Sequence, residues 1–220
     1  LFFALYYNFT LLTSISPHWI SIVTNTVLCF FFLGLMLFLL NREDDSPYLI
    51  IIGKILSIIV FIIGSLSLIE HSYGVDFKID QILMKTTSLN TVYPGRMAPT
   101  TAFNFIICGI SFFMINFEFK SKRRPCMYFM YLVGITTLYL FLYYLYGQSF
   151  YTLTPKFTQV SFPAVFLFLL VFLSFYSLNA DKGIMVYFVS PGIIGIFTRL
   201  LFPAAILIPA SLGLVREFLH

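Results

Sequence analysis

Residues 48–69 read YLIIIGKILSIIVFIIGSLSLI, a run in which Lys54 is the only charge. Nothing in it alternates apolar with polar, as a strand with one wet face or a strand of a membrane barrel does. It is apolar without a break over the roughly 20 residues that a helix needs to cross a bilayer. Within lipid only a helix satisfies its own backbone hydrogen bonds segment by segment, so a spanning helix is the reading. Outward from it, the same criterion gives candidate spans at 19–40, 98–117, 126–147, 157–179 and 193–215, where Arg199 is the one further charge inside a span. Residues 1–12 read as the end of a helix whose beginning is missing. They do not read as a signal peptide, because Leu1 lies within an apolar stretch with no basic lead-in. The expectation is an all-α integral membrane protein of about seven transmembrane helices, the first partial. They form a single transmembrane helical domain over 1–220, a fragment of a longer chain.

Composition agrees with that solvent. The chain of 220 residues is 60% hydrophobic, 20% aromatic and 10% charged, with a mean hydropathy of +0.94. A soluble domain is typically about 25% charged, and one of this size leaves about a third of its surface wet. These figures exclude a soluble enzyme, a nucleic-acid binder and a disordered chain. The net charge of +4 reflects loop cations that orient the helices. Cys29, Cys108 and Cys126 each sit in or beside an apolar run and read as small buried hydrophobes. No cysteine pair or histidine pair has zinc spacing. A haem bridge would need facing histidines, and His18 and His71 both fall near the outer face.

Lys120, Lys122, Arg123 and Arg124 put loop 118–125 in the cytoplasm. Loops 41–47 and 180–192 then lie inside, and loops 13–18, 70–97 and 148–156 outside. Lys54 and Arg199 fall about one turn into their spans on the inner side, where their heads can reach the interface. The long outer loop 70–97 carries Glu70, His71, Asp76, Asp80 and Arg96. Within it Val75, Ile79, Ile82 and Leu83 have the spacing of an amphipathic helix lying on the membrane surface.

The chain also repeats itself. The segment 17–37 aligns with 94–113 through Thr26, Val27, Phe30 and Gly34 against Thr101, Ala102, Phe105 and Gly109. A worn third copy at 154–170 has Ala164, Val165 and Phe168 in the matching places. The stretches before the second and third copies, IEHSYG (69–74) and YYLYGQ (143–148), are alike as well. The pattern is of about three parallel helical-hairpin repeats, an arrangement that encloses a shared centre. Gly34, Gly109, Gly134 and Gly213 read as close-packing positions. Pro203 and Pro209 read as kinks in the last span.

Polar side chains gather at the outer ends of the repeats: Thr24, Asn25 and Thr26; Arg96, Thr100, Thr101 and Asn104; Thr158 and Gln159. Singly, the threonines and asparagines would cap helix starts and Arg96 would reach headgroups. Together with Glu70, Asp80, Tyr144 and Tyr146, Arg96 and Asn104 make a candidate ligand-binding pocket that opens outward. Charges at the membrane edge are costly unless paired, so Arg96 is expected to meet Glu70 or Asp80. No nucleophile elbow, phosphate loop or His/Asp cluster points to catalysis.

The motifs IEHSYGVDFKIDQIL, PGRMAPTTAF, YLYGQ, TPKFTQ and RLLFPAA, in this order, resemble the multi-spanning N-terminal membrane sensory region of bacterial PAS-containing histidine kinases and diguanylate cyclases. The resemblance runs from about residue 13 to the end. It departs from the family pattern at His71, where an aromatic is usual, at Thr100 in place of Asn, and at Pro163-Ala164 in place of Thr-Ala. It implies a non-catalytic sensory input domain in the bacterial inner membrane, with a further helix beyond His220 leading to the output module. It also implies homodimerisation through that module. The partners expected are the lipid bilayer and a small-molecule or lipid ligand, with no nucleic acid, and no cofactor is named. The competing classes are a transporter or channel and a structural subunit of a larger membrane complex.

Overall fold

The computed structural model describes residues 22–41, 46–75, 96–119, 124–145 and 160–179, and nearer the end 186, 190–193, 195–201, 204 and 211. The described residues are all-helical. The helices whose bounds are described run in the order α1 Thr24–Leu40, α2 Pro47–Tyr73, α3 Pro99–Phe113, α4 Pro125–Leu145 and α5 Phe162–Leu178, with further helical residues at 195–201. Two of them, α2 and α4, are long and apolar enough to cross a membrane. The other three are apolar helices of 17, 15 and 17 residues.

Consecutive helices are antiparallel. In α2 and α3, Gly64 faces Ala102 and Ile106, while Ser57 and Phe61 face Gly109. In α3 and α4, Ser111 Oγ donates to the Cys126 carbonyl at 2.7 Å, and Thr136 meets Asn104 farther along. In α4 and α5, the Tyr176 hydroxyl donates to the Met127 carbonyl at 2.8 Å, and the Tyr144 hydroxyl donates to that of Val160 at the other end. It follows that α3 and α5 are parallel, and α1 runs with them, since its last residues Met36, Leu39 and Leu40 lie beside Leu49 and Ile50 at the start of α2 and Phe112 at the end of α3.

The core lies between these three. Phe30, Phe105 and Phe168 are each the seventh residue of their helix. Their rings close a triangle with centroids 5.0, 4.9 and 4.7 Å apart, within the range where offset and edge-on aromatic pairs attract. One helical register deeper, Phe112 and Phe175 meet edge-on at 5.3 Å. Thr26, Thr101 and Ala164, each third in its helix, are all buried. Ile22, Met97 and Val160, each two residues before a helix start, are buried too.

Several helix boundaries differ from the expected spans. The second span was expected from 19 and the sixth from 157, but α1 begins at Thr24 and α5 at Phe162, after extended N-caps at Val23 and Ser161. Hydropathy marks burial, and Ile22 and Val160 are buried without being helical. The expected span 98–117 stops at Phe113, where Met114–Asn116 turn away. The span expected over 48–69 runs on to Tyr73 and ends at Gly74, which has the left-handed φ of 66° that a helix-ending glycine adopts. Glu70 and His71 are therefore in the last turns of α2 and not in the outer loop. The threonines and asparagines do not cap the helices: the N-caps are Val23, Ala98 and Ser161, none with a side-chain cap bond.

Of the glycines expected at close contacts, two are. A Cβ on Gly109 would stand 2.9 Å from the Ser57 carbonyl oxygen, and one on Gly134 would strike the Phe172 ring. Gly34 is not: it is exposed, with nothing within 4 Å of where its Cβ would be. Gly213, Pro203, Pro209, the 1–12 segment and the amphipathic stretch beyond Val75 lie outside the described residues.

Candidate functional site

A helix leaves its last four carbonyls without partners. At the end of α2 one of them, that of Glu70, meets the segment that leads into α3. Arg96 Nη1 donates to the Glu70 carbonyl at 3.3 Å and Nη2 to the Val75 carbonyl at 3.2 Å. Its Nε lies 3.6 Å from Glu70 Oε2, with the two side chains 3% and 0% exposed. One guanidinium thus holds the carboxylate and two backbone oxygens, and its charge lies at the negative end of the helix dipole. Beside it, His71 Nε2 stands 2.8 Å from the Met97 carbonyl. A carbonyl only accepts, so Nε2 carries the proton.

The corresponding junction between α4 and α5 uses a different residue for the same bond. The Tyr144 hydroxyl donates to the Val160 carbonyl, and its ring packs edge-on against Phe162 at 5.4 Å. Met97 and Val160 each lie two residues before the next helix. When IEHSYG is laid on YYLYGQ with the glycines matched, His71 falls opposite Tyr144. Equivalent positions therefore hold equivalent carbonyls. Sequence reasoning missed this bond, although the likeness of the two stretches was its signal.

The candidate pocket residues divide among three places. Arg96 and Glu70 meet. Asn104 lies deeper, between α3 and α4, where its Oδ1 is 2.7 Å from Thr136 Oγ1. Thr136 has one proton for this oxygen and for the Leu132 and Val133 carbonyls, each at 3.0 Å. Asn104 Nδ2 and Thr137 Oγ1 are buried without a hydrogen-bond partner among the described residues. Tyr144 belongs to the α4–α5 junction. Asp80, Tyr146, Thr158 and Gln159 lie outside the described residues, as does His18 of the conceivable haem pair. The partner of His71 is the Met97 carbonyl.

At the opposite end of the bundle, Arg124 does more than orient the chain. Its Nε donates to Glu118 Oε1 at 2.6 Å and its Nη1 to Asn179 Oδ1 at 3.2 Å, which ties the start of α4 to the end of α5. Among the described residues no three His, Cys, Asp or Glu side chains are grouped to hold a metal ion. The three cysteines are buried and none forms a disulfide. Chemically, the Arg96–Glu70 junction is a charge-neutral clamp that fixes where α2 ends and α3 begins. No family model, curated protein or solved structure matches the chain.

Proposed function

We propose that this chain is a membrane-embedded sensory input domain of about seven spans in the bacterial inner membrane, built from about three parallel hairpin repeats. In this reading it passes an outer or intramembrane signal to a cytoplasmic output module. The membrane part rests on one observation: α2 is inside out. It buries Ser57, Val60, Gly64, Ser67 and Glu70 and exposes Ile51, Ile55, Ile58, Ile62 and Ile69. In water that arrangement is backwards. In lipid, small and polar residues belong between helices and isoleucine belongs against acyl chains.

The repeats are supported by the phenylalanine triangle at one register and by the paired His71 and Tyr144 junctions. The sensory role is supported by the PGRM motif, whose arginine joins α2 to α3 across the long 76–95 segment. A ligand bound beside Arg96 and Glu70 would favour one arrangement of this junction over another and so bias the helices that follow. The aromatic rings that fill the space between α1, α3 and α5 weigh against a conducting path there.

The test is the reading frame beyond His220, followed by assay of the encoded protein in membranes. A continuing kinase or cyclase whose output responds to a small molecule co-purified in mild detergent supports the proposal. A stop codon, or an output domain that behaves alike with and without this chain, overturns it.

A further inference from the structure

Four cations lie among the described residues, and three of them are held by protein oxygens. Arg96 meets Glu70 and Val75, Arg124 meets Glu118 and Asn179, and Arg199 donates to the Gly195 and Ser190 carbonyls. Lys54 is the exception. Its ammonium stands 5.9 Å from the centre of the Phe113 ring, and among the described residues no oxygen accepts from it. Lys54 is exposed, and in the membrane reading its ammonium reaches toward the inner interface, where an anion from outside the chain can meet it.

Beside it is a cavity of about 210 Å³ where the end of α1, the start of α2 and the end of α3 converge. Leu39, Leu49, Ile50, Phe112 and Ile115 give it apolar walls, and Lys54 and Asn116 stand on its rim. A purely hydrophilic anion would satisfy the ammonium and gain nothing from those walls. An acyl chain would fill the walls and leave the ammonium bare. One molecule with both parts fits both.

We propose that this cavity binds a single anionic phospholipid, with the upper part of an acyl chain between α1, α2 and α3 and the headgroup phosphate on Lys54. The proposal rests on the membrane placement above, not on the sensory role. Gly53 supplies a clean probe, because it lines the cavity and a Cβ there would meet nothing within 4 Å. Gly53→Leu therefore adds bulk at the cavity wall, starting from a Cβ that meets no neighbour.

The experiment is native mass spectrometry of the intact protein in a non-ionic detergent. It is titrated with phosphatidylglycerol or phosphatidylcholine of identical chains, with inorganic phosphate as competitor. The expected result is one phosphatidylglycerol bound about fivefold more tightly than phosphatidylcholine, the scale of one cation near an anionic headgroup. Lys54→Arg keeps that preference, Lys54→Gln abolishes it, and Gly53→Leu removes binding of both lipids. Equal affinity for the two lipids, or a preference unchanged in Lys54→Gln, overturns the site. Displacement by inorganic phosphate overturns it in favour of a free-anion site. Alkaline carbonate washing of membranes separates the two levels: a chain released into solution overturns the membrane reading itself, whereas a retained chain confines a negative lipid result to this cavity.

Discussion

Arg96 and Glu70 meet at 3.6 Å with 3% and 0% exposure, so neither charge has water to fall back on. Removing one partner of a buried pair leaves the other uncompensated, at a cost of roughly 3–5 kcal/mol. Arg96→Ala should therefore lower the thermal midpoint of the detergent-solubilised protein sharply, and Arg96→Lys should not restore it, because a point charge cannot hold three oxygens at once. A midpoint for Arg96→Lys equal to that of the native chain would mean that the side chain only reaches for headgroups. His71→Phe and Tyr144→Phe each strip the donor from a buried carbonyl, at roughly 1–3 kcal/mol, and similar losses in the two variants would match their equivalent bonds. That Arg96 would meet a carboxylate was legible in the sequence, because a charge beside apolar spans needs a partner, but the choice between Glu70 and Asp80 was left open. The bonds to Met97 and Val160 were not legible, since every residue has a carbonyl and no letter marks which one is held.

Among the helices, close approach is decided by what has no side chain. Gly109 lies against the backbone of Ser57, which cannot yield. Gly109→Ala should cost about 1–3 kcal/mol, as overpacking does. Gly34→Ala, in open space, should be neutral or stabilise by up to roughly 1 kcal/mol through the reduced freedom of the unfolded chain. Parallel unfolding curves of the two variants check the contrast, and equal losses would contradict it. The expected repeat puts the two glycines in matching places, so sequence alone assigned them one role. They part company because α3 has α2 packed along that side, while among the described residues Gly34 has no neighbour there. Helix starts were legible to within a residue at Pro47, Pro99 and Pro125, where proline occupies the first helical position. They were misread at α1 and α5, where buried apolar residues enter the helix extended. The end of α2 was misread because polarity stood in for chain reversal, when Gly74 was the better mark.

For the molecule as a whole, the four cations of loop 118–125 predict a cytoplasmic position. A cysteine introduced at Ser121 should resist an impermeant thiol reagent on intact cells and react once the membrane is opened; labelling from outside would reverse the topology. The three native cysteines are buried and should give little background. The alternation of helix directions was legible from the apolar runs and the short turns between them. The centre was legible in part: the repeat singled out Phe30, Phe105 and Phe168 as equivalent but could not say that equivalence meant contact.

That contact has an evolutionary consequence. If the three segments are copies of one ancestor, as proposed, selection acts on the combined volume of the three side chains at this vertex and not on each position alone. Mutational drift at any of the three is then open to repair at either of the others, and the copies can lose their visible likeness while the vertex stays filled. Phe168→Leu should destabilise the bundle as a core truncation does. Among the sequences of natural descendants, a smaller residue at one of these positions should be accompanied by a larger one at another more often than chance pairs them.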